Sequence, residues 1–475
     1  MKIKSLGTNK VVKSGTWFTI SNFVIKGIGF ITGPIFYRTL TKPQVAEFDL
    51  FLTAVGIMII ITSLNLDASM LRARFDYESR FCEYTFSMVV LSMLSTSLWF
   101  VLVNIFIVPI QRIFLLDKFY IELMFVYLFF MPIISLFQNY ERYNYRYKLT
   151  VLSSLSVSVL TAILSVVLVL NMKDRLLGRV LGFIIPTIVV GVVIISWFIF
   201  KVKKIEKNTW KFSLKISIPF IPHLLALFLL GGADKLMIKK MCSSEDLAVY
   251  SVAYTVGSLI IILVNSLNSA FSPWLGEKLK EEDYSSIKSI SWYYVAFFVY
   301  FAGIIVLLSP EVLFVIGGKG YIESKYAMLP VAAGCIMQFL YCMYVNVEQY
   351  TMKTKMMAVA SVLAAFINIG LNYMLIPLFG YVAAAYTTFA SYLILLFFHY
   401  IIVCRIGMNK VYDNKKVFSI AICACIFICG VNYILDLYIL RYIFVLVYLV
   451  VGFIIIYHNK DIILNFLKKK EIKVN

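Results

Sequence analysis

Charged residues are scarce in this chain of 475 residues: they make up 15% of it, and only 25 are acidic. Water-soluble domains contain about 25% charged residues, so the scarcity excludes an ordinary soluble protein. Histidine is rarer still, with three residues, and three of the eight cysteines share one apolar stretch, where cysteine is a small apolar residue rather than a ligand. There is no glycine-rich phosphate loop, no Gly-x-Ser-x-Gly turn and no carboxylate cluster with metal spacing. We therefore expect no enzyme activity, no cofactor and no metal site.

Hydrophobic residues are abundant, at 61% of the chain with a mean hydropathy of +0.88. A membrane-spanning helix needs about 20 apolar residues, so the composition predicts an all-α polytopic membrane protein. The apolar stretches predict about fourteen spans. They cover residues 15–37, 45–68, 84–108, 119–139, 149–171, 177–200, 216–238, 247–272, 290–309, 327–347, 357–377, 381–404, 417–435 and 439–457.

The net charge of +19 reflects where the 44 lysines and arginines lie along these spans. With a cytoplasmic N-terminus, 30 of them fall on the cytoplasmic side and 13 on the opposite side, which agrees with the positive-inside rule. We therefore expect both termini in the cytoplasm. Because membrane topology accounts for the basic excess, we expect no nucleic-acid partner.

A basic segment at residues 201–215 divides the first twelve spans into two groups of six. This predicts an N-lobe at 1–200, a cytoplasmic linker at 201–215 and a C-lobe at 216–404. Residues 405–475 would then hold two additional spans and a basic cytoplasmic tail. Paired lobes of this kind are typical of transporters that rock about a central site.

Lys26 is the one cation that lies at the middle of a predicted span, where a charge costs about 2.5–3.5 kcal/mol. Asn22, Gly29 and Gly33 recur at helical spacing with it and form a small, polar stripe. One interpretation is a cation that faces a hydrated cavity and attracts an anionic substrate group. The other is a lysine that pairs with a carboxylate for structural reasons.

Further polar side chains recur within the later spans, where they are candidates either for substrate binding or for hydrogen bonding between helices. These residues are Tyr254, Asn265, Gln338, Asn368 and Asn372. Asp234 and Lys235 form either a local ion pair or charges that face a cavity. His223 is either a histidine with a hydrogen-bond partner at a helix end or part of a proton relay.

Three parts of the sequence resemble the Wzx-type polysaccharide flippases of the multidrug/oligosaccharidyl-lipid/polysaccharide exporter superfamily. They are YRTL at 37–40 with EFDLF at 47–51, ADKLMI at 233–238 with AVYSVAY at 248–254, and NIGLNY at 368–373 with IPLFGYVAAAYTT at 376–388. The resemblance covers nearly the whole chain. Asp49 stands where the family often has glycine, which puts an acid at the mouth of the second span. The Asp-Ala-Phe segment usual in lipid II flippases is missing.

The resemblance implies a V-shaped fold of two six-helix lobes plus two C-terminal helices, which opens alternately to each side of a bacterial cytoplasmic membrane. It implies a flippase that moves undecaprenyl-diphosphate-linked oligosaccharide repeat units outward for O-antigen or capsule synthesis. Lys26 would bind phosphate, with Arg38 and Lys235 at the outer mouth. The expected partners are membrane lipids, together with a polysaccharide polymerase and a chain-length regulator.

Cation coupling in such a flippase would fall to acidic residues, for which Asp67, Glu348 and Asp234 are the candidates. Three alternatives stay open. A flippase for lipid II or teichoic precursors would share the diphosphate chemistry, whereas a drug/cation antiporter of the same superfamily would need an anionic cavity. A membrane-bound glycosyltransferase or polymerase would need a large loop outside the membrane, and the loops here span about 15–18 residues.

Overall fold

A computed structural model describes residues 8–144, 146–202, 204–351 and 354–458, and within these ranges the chain forms helices and no strand. The helices of the first half are α1 (Thr8–Thr39), α2 (Lys42–Thr62), α3 (Asp67–Asp76), α4 (Phe81–Ile105), α5 (Ile107–Phe114), α6 (Lys118–Tyr143), α7 (Tyr147–Asn171), α8 (Arg175–Lys201) and α9 (Asn208–Ser217). Those of the second half are α10 (Ile221–Met241), α11 (Ser244–Lys280), α12 (Tyr284–Leu307), α13 (Ser309–Gly317), α14 (Ser324–Tyr350), α15 (Thr354–Phe379), α16 (Tyr381–Arg405), α17 (Asn414–Ile434) and α18 (Tyr438–His458).

Each predicted span lies within one long helix, to within a few residues, with two exceptions: 45–68 continues past the end of α2 at Thr62 into α3, and 216–238 begins in α9. The predicted all-helical membrane fold is confirmed. In the described ranges, twelve helices are long and apolar enough to cross a membrane. The first predicted span lies in α1, which is not among the twelve, and the apolar part of α18, Tyr438–Ile454, is shorter than the others. The predicted count of fourteen is therefore not confirmed.

The chain reverses direction through short turns with local sequence signals. Between α1 and α2, the Thr41 hydroxyl accepts a hydrogen bond from the Gln44 backbone N–H at 3.4 Å. The Gln44 side chain in return accepts one from the Thr41 backbone N–H at 3.0 Å, which completes a capping box. Between α15 and α16, Gly380 adopts a φ of 69°, a conformation that favours glycine. We call the end of the molecule that carries residues 40–41 the α1–α2 end, and the opposite end the α9 end.

Helix α9 lies inside the segment that the sequence predicted as a linker, and it packs on α3 and α4. The Ser213 and Ser69 hydroxyls are 2.6 Å apart, and the Trp210 indole N–H donates to the Ser87 carbonyl at 3.1 Å. Arg80 and Glu206 form an ion pair at 2.8 Å just before α9. The second half of the predicted linker is therefore a helix docked on the first half of the chain.

The helices pack mainly within two sets, α1–α9 and α10–α18, which we call the first and the second set. In the first set, Gly178 and Gly182 lie one helical turn apart on α8 and face α7. A Cβ atom on Gly182 would lie 2.3 Å from the Cα atom of Ser165, so only glycine allows this approach of the two backbones. In the second set, α14 is central and contacts α11, α16 and α17. The domain boundaries at 200, 215 and 404 stay a prediction.

Candidate functional site

The two sets meet where α1 and α2 contact α10, α11 and α13. The Lys235 ammonium on α10 lies 3.5 Å from Asp49 Oδ2 on α2, and their side chains are 19% and 15% exposed. The Tyr37 hydroxyl on α1 is 2.7 Å from the Thr255 hydroxyl on α11. The ammonium of Lys235 therefore pairs with the acid that departs from the family pattern, Asp49, and not with its neighbour Asp234.

Aromatic and backbone contacts complete this junction at the α1–α2 end. The exposed Arg38 donates to the Val315 carbonyl on α13 at 3.0 Å. The Tyr321 ring receives the Tyr37 ring edge-on at 5.7 Å between centroids and lies 5.6 Å from the Lys42 ammonium. Burial raises the pKa of Tyr321 to about 12, so this ring stays neutral at physiological pH. Arg38 and Lys235, the predicted residues of the outer mouth, are both engaged across the junction.

Arg179 belongs to the same region, and the sequence interpretation did not single it out. Its guanidinium on α8 lies 3.6 Å from the centre of the Phe36 ring and 4.5 Å from that of Phe48. Such stacking on aromatic faces stabilises a cation in apolar surroundings. Its signal in the sequence is weak, because Arg179 is the third residue of its apolar stretch and follows the basic residues Lys173 and Arg175.

A buried polar network occupies the second set next to the junction. Asp234 is 1% exposed, and its Oδ2 atom accepts hydrogen bonds from the Tyr250 hydroxyl and, at 3.2 Å, from the Tyr254 hydroxyl. Its Oδ1 atom accepts the backbone N–H of Lys235 at 2.9 Å. The hydrogen-bond partners of the Asp234 carboxylate thus all belong to the second set. Asp234 directly precedes Lys235, the lysine that pairs with Asp49.

The network continues into α15 and α16 through two fully buried asparagines. The side-chain amide of Asn368 donates to the Thr388 hydroxyl at 3.3 Å. The side-chain amide of Asn372 donates to the side-chain oxygen of Asn368 at 3.1 Å. The Thr387 hydroxyl donates to the side-chain oxygen of Asn372. The Tyr254 side chain lies near Thr388, which brings the two parts of the network next to each other.

Four predicted site residues therefore come together in one network, namely Asp234, Tyr254, Asn368 and Asn372. The asparagines make the interhelical hydrogen bonds that the sequence left open as an alternative role. The network offers carboxylate, phenol, amide and hydroxyl oxygens, which are the groups that hold a proton or a hard monovalent cation.

Other predicted residues lie along the helices that lead away from the junction. Asn265 is exposed on α11, as are Ser258 and Ser269. The Ser269 hydroxyl bonds to the Asn265 carbonyl at 2.7 Å. Gln338 is half-buried on α14, one turn before Tyr341. The α11 residues form a polar face within a helix that is otherwise apolar enough to span a membrane.

Asn22 and Lys26 belong to α1, and their side chains lie outside the described part of the chain. Their depth follows from the backbone alone. Lys26 precedes Tyr37 by about 16 Å along α1, and Asn265 follows Thr255 by about 15 Å along α11. Because Tyr37 and Thr255 are in contact, Lys26 and Asn265 occupy corresponding heights toward the α9 end.

The two remaining candidates for ion coupling lie toward the α9 end. Asp67 begins α3, and its carboxylate accepts hydrogen bonds from Ser135 at 2.8 Å and from Asn139 at 2.7 Å. Glu348 is fully buried on α14, and its Oε1 atom lies 2.7 Å from His399 Nδ1 on α16. Neither residue belongs to the network around Asp234.

Two family profiles match the sequence: that of the polysaccharide biosynthesis proteins over residues 11–279 and that of the MatE family over residues 219–374. Lsg locus protein 1 of Haemophilus influenzae is 21% identical over 378 residues, which are 76% of this chain and 90% of that protein.

Solved structures of membrane transporters share the fold. The lipid II flippase MurJ in an inward closed conformation superposes with a TM-score of 0.71 at 14% identity, over 94% of this chain and 99% of that one. A multidrug resistance transporter of the MATE family in an inward-facing conformation gives a TM-score of 0.64 at 13% identity, over 83% of this chain and 98% of that one. At these identities the likeness shows the fold alone.

Proposed function

We propose that this chain, which belongs to the polysaccharide biosynthesis protein family, flips undecaprenyl-diphosphate-linked oligosaccharide repeat units across a bacterial cytoplasmic membrane. The family and the fold place it among the flippases and transporters of the multidrug/oligosaccharidyl-lipid/polysaccharide superfamily. The units move from the cytoplasmic to the outer face for O-antigen or capsule synthesis. The cytoplasmic position of both termini and the partnership with a polymerase and a chain-length regulator are part of this proposal.

The observation that carries the proposal is the junction of the two helix sets at the α1–α2 end. A rocking transporter needs contacts that form at one end and separate when that end opens. The Lys235–Asp49 ion pair and the Tyr37–Thr255 hydrogen bond connect the two sets and would break if this end opened. We assign this end to the outer face from the lysine and arginine distribution, so the structure corresponds to a state closed to the outside.

The substrate chemistry fits the residues that line α1 and α11. A diphosphate needs a cation in hydrated surroundings to pass through a membrane, and Lys26 supplies one at the height of Asn265. Sugars need hydroxyl and amide partners, which the exposed α11 face offers through Ser258, Asn265 and Ser269. The isoprenoid chain stays in the lipid. Gln338 would contribute on the side of α14.

Arg38 and Lys235 would act when the outer end opens. Both are occupied in the present state, by the Val315 carbonyl and by Asp49. Separation of the two sets frees both cations at the outer mouth, where they would hold the diphosphate before its release. Their role thus depends on the state of the junction.

Asp234 would couple the movement to a monovalent cation or a proton. Its carboxylate is buried among hydroxyl groups, and the next residue in the chain closes the junction with Asp49. A change of charge at Asp234 would therefore act directly on the orientation of Lys235. Asp67, held by two donors from α6, is a candidate for the same role in the first set.

Two alternatives are compatible with the comparisons. A flippase for lipid II or teichoic precursors and a drug/cation antiporter both stay open, because MurJ and the MATE transporters share the fold. The antiporter would need an anionic central cleft, whereas the exposed α11 face carries neutral amides and hydroxyls. Lipid II and the repeat units share a diphosphate, so only the accumulated intermediate separates these two substrates.

The test is deletion of the gene followed by mass spectrometry of the lipid-linked intermediates. We expect an undecaprenyl-diphosphate-linked repeat unit to accumulate and wild-type protein to clear it. Lys26→Ala should restore flipping at least about tenfold less well, because the charged contact to phosphate is lost. Lys26→Arg should restore most of it.

The exposed Lys319 provides the matched control, since Lys319→Ala removes one lysine at the α1–α2 end and should complement fully. Accumulation of lipid II or a teichoic precursor would replace the proposed substrate by the alternative. A deletion strain without any accumulated lipid-linked sugar would refute the flippase assignment. Protein abundance in the membrane fraction is measured for each variant.

A further inference from the structure

The second set contains a buried acid–histidine pair that the proposed flipping cycle does not use. His399 on α16 is 1% exposed and Glu348 on α14 is fully buried, and their Nδ1 and Oε1 atoms are 2.7 Å apart. The sequence holds only three histidines, so a histidine inside an apolar helix bundle is an unusual choice. A pair that served only to bind two helices would not require a group that titrates near neutral pH.

Other titratable groups face the pair from the neighbouring helices. His223 lies near the start of α10, which packs on α16 beside His399, and its Nδ1 atom is buried without a hydrogen-bond partner among the described residues. The Tyr341 ring stacks on the His399 ring at 5.5 Å between centroids, and the Tyr392 ring stacks on Tyr341 at 6.0 Å. Three helices thus converge on a cluster of two histidines and one carboxylate.

The remaining surroundings are apolar or carry their charges away from the pair. Lys415 and Lys416 at the start of α17 are exposed, and the side chains of Lys353 and Lys355 lie outside the described residues. A buried apolar cluster adjoins the same face of α16. Its members are Ala226, Leu230, Ala360, Ala364, Ala365, Leu395 and Ile402.

The hydrogen bond decides which atom can exchange a proton. When the Glu348 carboxyl is ionised, its Oε1 atom can only accept, so Nδ1 of His399 then carries the shared proton and Nε2 is the imidazole nitrogen left to gain or lose one. With Nε2 protonated, the imidazolium and the carboxylate are neutral together. With Nε2 bare, one uncompensated negative charge remains in an apolar interior, which is unfavourable. The pair closed off from water therefore keeps the exchangeable proton on Nε2 in addition to the proton shared with Glu348, and water near the pair permits release of the Nε2 proton.

We propose that Glu348 and His399 form a proton-binding site in the second set, with the exchangeable proton on His399 Nε2. The site lies toward the α9 end, and α10 reaches from His223 beside it to Lys235 at the junction with Asp49. Movement of α10 when the two sets rock therefore changes the water around the pair. The ligand is a proton, taken from and returned to water. As a coupling device, the site rests on the proposed transport function.

The experiment is a titration of the imidazole nitrogens in the full-length protein, labelled with 15N-histidine and reconstituted in lipid bilayers, by solid-state NMR. Three histidines give three assignable side chains, and His399→Gln identifies the resonances of His399. We expect the Nε2 resonance of His399 to change from that of an unprotonated to that of a protonated nitrogen as the pH of the reconstituted sample is lowered. Glu348→Gln should displace the midpoint of this change, because the carboxyl group that shares the hydrogen bond with Nδ1 is replaced by an amide.

His458→Gln is the matched control, since it removes the histidine at the end of α18 and should leave the His399 midpoint unchanged. A His399 that keeps one protonation state over the whole range would overturn the proposal, as would a midpoint unaffected by Glu348→Gln. The wild-type titration decides the question even if a variant fails to fold.

The pH profile of substrate flipping separates coupling from a purely structural role. A proton site predicts that Glu348→Gln shifts the pH dependence of flipping, whereas a structural pair predicts a uniform loss at every pH. If His399 titrates but no lipid-linked sugar is flipped, the transport function fails and the proton site stands. If flipping occurs and His399 does not titrate, the proton site alone is wrong.

Discussion

The ion pair between Lys235 and Asp49 offers the sharpest perturbation of the junction between the helix sets. At the observed 3.5 Å and an effective dielectric constant of about 20, the attraction is about 5 kcal/mol before desolvation. Both side chains are mostly buried, so the loss of hydration opposes a large part of it. We expect a net coupling of about 1–3 kcal/mol, which corresponds to about a 5- to 150-fold change in the ratio of closed to open molecules.

The prediction is that Asp49→Lys, which places two ammonium groups together, opens the α1–α2 end. Spin labels at exposed positions 113 on α5 and 322 before α14 report the distance between the sets, in a background without the eight native cysteines. Asp49→Lys should shift the distance distribution to longer values. The exchanged pair, Asp49→Lys with Lys235→Asp, should restore the short distance.

The control uses an ion pair within one set. Lys118 and Glu122 lie one turn apart on α6 at 3.6 Å and are both exposed, so Glu122→Lys should leave the distance distribution unchanged. An unchanged distribution in Asp49→Lys, or an exchanged pair that stays open, would refute the reasoning that this contact holds the two sets together.

Two further predictions concern stability. Gly182→Ala should lower the free energy of unfolding by about 1–3 kcal/mol, because the added Cβ atom would collide with the backbone of Ser165. Gly430→Ala is the control and should leave the stability unchanged, because a Cβ atom there would meet open space. Both variants are measured by thermal unfolding in detergent. Hydrogen bonds, first from Ser286, hold the pKa of Asp283 in the α11–α12 turn below its usual range. The ionised Asp283 therefore stabilises the turn above about pH 4, and this stabilisation is lost as the pH falls further. Below about pH 4, hydrogen exchange at the turn should accelerate in the wild type but not in Asp283→Asn.

The positions of the spans could be predicted because about 20 successive apolar residues determine a membrane helix through local composition alone. The superfamily followed from short segments such as those at 233–254 and 368–388. The short helices α3, α5, α9 and α13 were not predicted, since each has ten residues or fewer and falls below the window that detects a span. The linker helix α9 is also too polar for that window.

The partners of the charged residues could not be predicted, because the sequence does not state which helices are neighbours. Lys235 adjoins Asp234 in the chain, yet its ammonium pairs with Asp49 of the other set. Glu348 was predicted as an ion-coupling residue without its partner His399, which stands 51 positions later. Asn368 and Asn372 could be predicted as a pair from the sequence, because residues four positions apart lie on the same face of a helix.

The most direct test of the account is transport by the purified protein in liposomes that contain a defined undecaprenyl-diphosphate-linked oligosaccharide. Exposure of the sugar on the opposite leaflet is measured with a glycosidase that cannot cross the membrane. We predict that the protein increases the accessible fraction beyond that in protein-free liposomes and that Lys26→Ala removes most of the increase. Equal accessibility with and without the wild-type protein, under a proton or sodium gradient of either sign, would contradict the account.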